Sequence, residues 1–254
     1  ERGFVFFTNF NSRKGREFLA TKVGARTEGL EHARSELTAQ HIRDDTHASL
    51  ERLGIDCIDL LQVHWPCELG TPFEETVDAL NRLVTEGKVR YWGVCNYGAP
   101  DLERLLELGG ISTLQTPYSM IRREFEHGLS QVCERSRLGV LAYETLARGL
   151  LTGKFAGRPR FPETDLRSHD PRYAEPMWSR SRNLVAAVRL VADILGTNAA
   201  SLAVAYALRH PQIDVAIAGA KRPGQIIETA RAVEFFANKR VFAALNPYIE
   251  ATRL

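Results

Sequence analysis

The amino-acid sequence predicts an α/β fold in which helices cover a parallel β-sheet. Short β-rich runs alternate with longer amphipathic stretches along all 254 residues. Most of the short runs are continuously apolar, which is typical of parallel strands that are buried on both faces. The sequence contains no interdomain linker, repeat or low-complexity tract, so we expect a single domain over residues 1–254.

The predicted elements follow one another in chain order. The strands are residues 4–7, 18–22, 58–64, 92–95, 113–115, 139–143 and 215–218. The helices are residues 46–53, 72–86, 100–108, 124–137, 183–195, 199–209 and 224–233. Gly54 and Gly87 mark the ends of the first two helices, and Thr71 is expected to cap the second because Pro72 follows it. Residues 153–176 are irregular, and so long a stretch in a compact domain is usually a functional loop.

The composition excludes several classes of protein. With 33 basic and 31 acidic residues the net charge is +2, which disfavours a nucleic-acid-binding stripe or a polybasic membrane patch. No apolar run has the length of a transmembrane helix, and no signal peptide is visible at the start. The four cysteines are scattered, without a CxxC pair. We therefore expect a cytoplasmic protein with reduced thiols and no metal, nucleic-acid or membrane partner; its oligomeric state stays open.

Polar residues at the ends of strands decide between an open sheet and a closed barrel. The glycine-rich dinucleotide fingerprint of open sheets is absent. Five predicted strands each end in a polar residue, namely Lys22, His64, Asn96, Gln115 and Tyr143. Chemistry gathered at the carboxyl ends of successive strands is typical of a (β/α)8 barrel, so we predict that fold. The sequence shows seven strands, one fewer than a closed barrel needs.

Lys22 and His64 are the first candidates for catalysis. A single lysine at a strand end is usually solvated, and a single histidine is usually structural, but the two together at the ends of consecutive strands favour an active site. A lysine there can lower the pKa of a neighbouring acid. A histidine can donate a hydrogen bond to a substrate oxygen.

Four segments in order carry a resemblance to a known family. They are residues 49–54 taken with 59–66, then 86–96, 146–155 and 219–225. The sequence resembles the aldo-keto reductases, particularly the branch related to potassium-channel β-subunits. The resemblance implies a (β/α)8 barrel that uses NADPH to reduce an aldehyde or ketone. The alternative is an NADPH-binding regulatory barrel of the channel β-subunit type, with little or no turnover.

The resemblance also implies roles for individual residues. Lys22 and His64 correspond to the catalytic lysine and histidine, and Trp65 to a wall of the substrate pocket. The implied cofactor-binding residues are Cys95, Asn96, Gln115, Tyr143, Glu144, Thr145, Leu146, Arg148, Lys154, Arg167, Gly219, Lys221, Arg222, Gln225, Glu228 and Thr229. Among them, Cys95, Asn96 and Gln115 are implied to hold the nicotinamide carboxamide, with Cys95 in place of the usual serine. Tyr143 is implied to stack on the nicotinamide ring.

Lys221 and Arg222 have a physical rationale of their own. They stand between a predicted strand and the start of a helix, where side-chain charge and helix dipole both attract an anion. The 2′-phosphate of NADP fits such a site better than the bare ribose of NAD. The alternative is a basic loop without a ligand.

The family's remaining two catalytic residues, an Asp after the second strand and a Tyr about five residues later, have no counterpart here. The predicted strand 4–7 runs directly into Thr8, and eleven residues separate Phe7 from Leu19. A crossover between parallel strands normally needs more. We therefore expect the sequence to be incomplete before Glu1 and between Phe7 and Thr8; the alternative is a protein that has lost these parts.

Overall fold

The computed structural model describes residues 18–28 and 32–252. The predicted strand 4–7 and the expected break between Phe7 and Thr8 lie outside these residues. The chain forms two compact units. Unit 1 comprises the described residues up to Thr116 together with Glu126–Leu141, and unit 2 comprises Pro117–Phe125 and the described residues from Ala142 onward. The prediction of a single domain stays a prediction.

The described strands confirm a parallel sheet built in chain order. They are β1 Ala20–Val23, β2 Ala25–Glu28, β3 His32–Ser35, β4 Ile58–Val63, β5 Val89–Cys95, β6 Ile111–Pro117, β7 Gly139–Tyr143 and β8 Val215–Ala216. In unit 1, β1, β4, β5 and β6 are hydrogen-bonded in that order as parallel neighbours, and β7 comes next. In unit 2, where β7 ends, Ile217 N–H donates to Ala142 O at 2.7 Å beside β8. Six of the seven predicted strands are thus confirmed.

The antiparallel pair of β2 and β3 was not predicted. Neither of these two four-residue strands has the continuous apolar run by which the other strands are recognised.

The helices separate the strands as predicted. They are α1 Ala39–Leu53, α2 Phe73–Thr85, α3 Ala99–Leu108, α4 Leu129–Ser136, α5 Met177–Ile194, α6 Ala199–Leu208, α7 Pro223–Ala230 and α8 Lys239–Glu250. Helix α8 was not predicted. Nor was the first part of α1, which Thr38 caps by accepting a hydrogen bond from His41 N–H. Gly54, with φ of 65°, ends α1 as predicted.

The starts of three further helices differ from the prediction, and one of them, α5, begins at Met177 rather than at residue 183. Thr71 does not cap α2: the helix begins one residue later, with Pro72 in an extended conformation at the cap position and no side-chain hydrogen bond. The predicted helix 124–137 is a 3-10 turn at Glu124–Glu126 followed by α4. Gly128, with φ of 82°, separates the two because its backbone leaves the helical region.

The core of unit 1 surrounds the sheet. All six residues of β4 are buried. Against this sheet α2 buries one face, centred on Val77, Leu80 and Leu83. The indole Nε1 of Trp92 in β5 donates to Asn81 Oδ1 of α2 at 2.9 Å, which satisfies the polar atom of this buried side chain.

The core of unit 2 is built on α6, which is buried at eight of its ten residues. Tyr206 of α6 stacks on Tyr118, with ring centroids 5.9 Å apart. Residues 153–176 form no α-helix or strand and contain two 3-10 turns, Leu166–His169 and Pro171–Tyr173, as the prediction of a long irregular stretch requires.

Among the described residues, no single helix has both the length and the apolar composition to cross a membrane. Helices α5 and α6 meet those criteria only when taken together, and they are bent by 100° at the break between them.

Candidate active site

Strand register places candidate residues of unit 1 on one face of the sheet. A row of Cα partners runs across four strands, from Lys22 through Gln62 and Gly93 to Thr113. Because side chains alternate between faces along a strand, residues two positions further on share the face of this row. These residues are His64, Cys95 and Gln115. The structure therefore places Lys22, His64, Cys95 and Gln115 on one face of the sheet. Lys22, His64 and Gln115 belong to the strand-end pattern, and the role of each residue stays a prediction.

Asn96 connects the ends of three strands through hydrogen bonds. It has φ of 65°, a left-handed conformation that asparagine tolerates better than most residues. Its backbone N–H donates to Gln115 O at 3.0 Å, and its side-chain Nδ2 donates to His64 O at 2.9 Å. The N–H of His64 in turn donates to Val23 O at 3.0 Å. The backbone of the candidate catalytic histidine is thus held from both sides.

A buried chain of hydrogen bonds connects Cys95, Gln115 and Gln62. The thiol of Cys95 donates to Gln115 Oε1 at 3.4 Å, and Gln115 Nε2 donates to Gln62 Oε1 at 3.1 Å. Burial raises the pKa of the Cys95 thiol to about 12, and the charge of Lys22 acts in the opposite direction. Cys95 is therefore a neutral donor at neutral pH. Gln62 is not among the predicted site residues, although an uncharged polar residue within an apolar strand, two positions before His64, is a recognisable signal.

Trp65 lies beside the candidate histidine. Its ring stacks on that of His64 with centroids 5.8 Å apart, and about half of its surface (49%) is exposed. The Oγ of Ser35 donates to Trp65 O at 2.9 Å and holds this loop. A large exposed aromatic ring next to His64 is what the predicted pocket wall requires, and that role stays a prediction.

In unit 2, the loop after Tyr143 is held by its own contacts. Glu144 adopts a φ of 57°, and its buried carboxylate accepts hydrogen bonds from Arg122, Arg148 and Arg172 at 2.9–3.2 Å. Burial alone would raise the pKa of Glu144, but hydrogen bonds and charge from Arg172 and Arg148 bring it below its ordinary value.

The neighbours of Glu144 are also engaged within unit 2. Thr145 is fully buried and donates through Oγ1 to Ile217 O at 2.8 Å, while Leu146 precedes the 3-10 segment Ala147–Thr152. Glu144, Thr145 and Arg148 thus define the shape of the loop, and a direct contact of theirs with a cofactor stays a prediction.

Three predicted cofactor-binding cations of unit 2 act on one another. Partial burial lowers the pKa of Lys154, and the charges of Arg167 and Lys221 lower it further, against the opposing effect of Asp165. Hydrogen bonds from Arg167 hold the pKa of the Asp165 carboxyl well below its ordinary value. Asp165 pairs with Arg167 and offsets its charge, and the binding of a cofactor phosphate by these three cations stays a prediction.

Lys221 stands at the start of α7 together with a second cation, Arg222. Lys221 and Arg222 are exposed, and their backbone N–H groups donate to Gln225 Oε1 at 2.7 and 3.2 Å. Gln225 thereby fixes the turn that follows Gly219. Thr229 donates through Oγ1 to Gln225 O at 2.8 Å. The remaining predicted residue of this helix, Glu228, is exposed, and its backbone carbonyl accepts from Ser201 Oγ at 2.6 Å.

Within residues 18–28 and 32–252, no group of three or more His, Cys, Asp and Glu side chains could hold a metal ion. The four cysteines Cys57, Cys67, Cys95 and Cys133 are free.

Comparison with known proteins gives a consistent result. The profile of the Aldo/keto reductase family matches residues 6–250. Aldo-keto reductase YhdN of Bacillus subtilis is 33% identical over 212 residues, which are 83% of this chain and 64% of that protein. The "Probable voltage-gated potassium channel subunit beta" of Arabidopsis thaliana is 31% identical over 214 residues, 78% of this chain and 63% of that protein. The chain thus spans less than two thirds of the length of these relatives.

A solved structure shows the same fold. The glycerol dehydrogenase AKR11B4 from Gluconobacter oxydans superimposes with a TM-score of 0.84 at 30% identity, covering 92% of this chain and 72% of that one. Together with the parallel strands in chain order, these matches confirm the predicted (β/α)8 fold class. The chain belongs to the aldo/keto reductase family of oxidoreductases.

Proposed function

We propose that this protein uses NADPH to reduce an aldehyde or ketone to the corresponding alcohol. The observation that carries the proposal is the common face of Lys22, His64, Cys95 and Gln115 in the sheet of unit 1. A cation, a hydrogen-bond donor and an amide meet there at the carboxyl ends of neighbouring parallel strands. This is the arrangement from which barrel enzymes build an active site.

Several predicted cofactor-binding residues match chemical groups of a nicotinamide dinucleotide, and each unit is considered by itself. In unit 1, the amides of Asn96 and Gln115 match a carboxamide, which needs both a donor and an acceptor. In unit 2, Lys154, Arg167 and Lys221 match the phosphates. When bound, the cofactor supplies the hydride for the carbonyl carbon.

His64 and Lys22 perform the polar part of the reaction. His64 donates a hydrogen bond to the carbonyl oxygen, which orients the substrate and polarises the bond to be reduced. Lys22 favours the ionised form of an acid beside it, and its lowering effect on the pKa of the Cys95 thiol is an example of that influence. Trp65 limits the space beside His64 and so bears on which carbonyl compounds enter. That the proton donor is a tyrosine, as the family resemblance implies, stays a prediction.

The preference for NADPH over NADH rests on the start of α7. Lys221 and Arg222 are exposed cations at the helix N-terminus, where the helix dipole also attracts an anion. The 2′-phosphate that distinguishes the two cofactors is such an anion. The proposed location is the cytoplasm, because scattered cysteines without a CxxC pair are typical of proteins with reduced thiols.

Cofactor binding tests this assignment. Replacing both Lys221 and Arg222 by Ala is expected to weaken NADPH binding about tenfold or more, since each charged hydrogen bond is worth roughly that factor, and to change NADH binding by less than about twofold. The matched control is the double alanine variant of Lys239 and Arg240, an exposed Lys-Arg pair that begins α8. An equal loss for both cofactors would remove the assignment of these residues to the 2′-phosphate.

Turnover separates the enzyme from the regulatory alternative. NADPH oxidation is followed with a panel of aldehydes and ketones in the presence of excess substrate. Steady-state turnover with at least one of them is expected. A single slow turnover without a steady state would instead favour an NADPH-binding regulatory barrel.

A further inference from the structure

Gln62 is a buried glutamine in a strand that packing alone would fill with apolar residues. Its side chain has no exposed surface, and all other residues of β4 are buried as well. Within residues 18–28 and 32–252 the amide makes one hydrogen bond, in which Gln62 Oε1 accepts from Gln115 Nε2 at 3.1 Å. Its own Nε2 donor finds no acceptor among the residues that the structure describes.

An unpaired buried donor is unfavourable, and an apolar side chain of similar size would avoid it. Stability therefore does not account for a glutamine at this position. What distinguishes Gln62 from a leucine or methionine is the acceptor that it presents to Gln115.

The bonds to Gln62 and from Cys95 together hold the Gln115 amide in one of its two orientations. A glutamine amide can rotate by half a turn, which exchanges its oxygen and nitrogen ends. Gln62 Oε1 requires the nitrogen end of Gln115 on its side. The thiol of Cys95 donates to the oxygen end at 3.4 Å. Because burial keeps that thiol protonated, both neighbours favour the same orientation.

The geometry of the sheet allows this contact to cross a strand. Gln62 lies on β4 and Gln115 on β6, with β5 between them. The Cα partner of Gln62 on β5 is Gly93, which has no side chain to obstruct the bond. On its other side, Gln62 is the Cα partner of Lys22. Gln62 therefore stands between the candidate catalytic lysine and the candidate cofactor amide.

We propose that Gln62 is a positioning residue, which orients the Gln115 amide for the carboxamide of the nicotinamide ring. The inference rests on the proposed function, because it assumes that Gln115 contacts the cofactor. It adds a residue that acts only through Gln115 and touches neither cofactor nor substrate.

The test compares two ligands that differ in the nicotinamide. Gln62→Met removes the acceptor at nearly constant volume. We expect it to weaken NADPH binding about tenfold, the contribution of one well-oriented hydrogen bond, and to leave the binding of 2′-phospho-ADP-ribose, which lacks the nicotinamide, unchanged. The matched control is Thr76→Val, which removes a buried hydrogen bond to Leu37 O elsewhere in unit 1 and should affect neither ligand.

Two further variants distinguish positioning from a structural role. Gln62→Glu keeps an acceptor for Gln115 and is expected to restore most of the NADPH affinity. In a Gln115→Met background, Gln62→Met should cause no additional loss, because a residue that acts through Gln115 has nothing left to orient. Circular dichroism checks the fold of each variant, and Gln62→Leu takes the place of Gln62→Met if that variant does not fold.

The outcomes separate this inference from the proposed function. If the unaltered protein does not bind NADPH, the proposed function fails and the inference fails with it. If the unaltered protein binds NADPH, the inference alone is overturned by any of three results: equal losses for both ligands, no loss for NADPH, or an additional loss in the Gln115→Met background.

Discussion

Replacing Gly93 by alanine tests the packing on which the candidate site depends. Gly93 lies in β5, in the row between Gln62 and Thr113. A Cβ atom added there would lie 2.0 Å from Thr113 Oγ1 and 2.5 Å from Thr113 O. Both distances are far below van der Waals contact, and the second involves the backbone of the neighbouring strand.

The expected loss of stability follows from which atoms can move. The Thr113 hydroxyl has no hydrogen-bond partner among the described residues, so its side chain can rotate away. The carbonyl of Thr113 belongs to β6 and can move only if the two strands separate. We therefore expect Gly93→Ala to lower the free energy of unfolding by about 3 kcal/mol, which is the upper end of the usual range of destabilisation for an overpacked core. In a chain of this size that corresponds to a Tm lower by roughly 6–12 °C.

Urea unfolding followed by circular dichroism measures this change. The control is Gly157→Ala, whose added Cβ would have no heavy atom within 4 Å and which should stay within about 0.5 kcal/mol of the unaltered protein. Adding Thr113→Ala to Gly93→Ala should restore only part of the loss, because the contact with the carbonyl remains. A Gly93→Ala variant as stable as the control variant, or complete recovery in the double variant, would contradict the reasoning.

Two further predictions concern charged residues. Lys22→Met should abolish steady-state carbonyl reduction and leave NADPH affinity within about twofold of the unaltered protein, because the lysine acts on the proton donor. Steady-state kinetics and cofactor titration measure these two quantities. Turnover within a few-fold of the unaltered protein would exclude Lys22 from catalysis. Arg172→Met should lower the free energy of unfolding by about 3 kcal/mol at pH 7, because it leaves the buried carboxylates of Glu144 and Asp170 short of a partner. Arg172 helps to lower the pKa of both carboxyls against the effect of burial. Its contribution to the free energy of unfolding is therefore complete at pH values above the ordinary pKa values of 4.5 and 3.8. That contribution is lost as the pH falls through the lower pKa values of the folded state. In urea unfolding between pH 7 and pH 3, the free energy of unfolding of Arg172→Met should therefore fall less with decreasing pH than that of the unaltered protein. An equal decrease in both proteins would contradict this.

The sequence alone determined most of the secondary structure of the described chain, because its signals are local. The strand Gly139–Tyr143 was predicted with the bounds that the structure has, since an apolar run between turn residues is read from neighbours in the chain. Where the signal was weak, prediction failed. The hairpin of β2 and β3 has no apolar run. The start of α1 depends on a cap at Thr38 that precedes any clear amphipathic pattern.

For the candidate site, the sequence determined which residues stand at strand ends, and the tertiary structure decided what each one contacts. The common face of Lys22 and His64 follows once strands are parallel, because side chains alternate with a period of two. The bond between Gln62 and Gln115 joins residues 53 positions apart across an intervening strand, so it depends on register and on the absence of a side chain at Gly93. Strand register and charge proximity are properties of segments distant in the chain, which local sequence patterns do not specify.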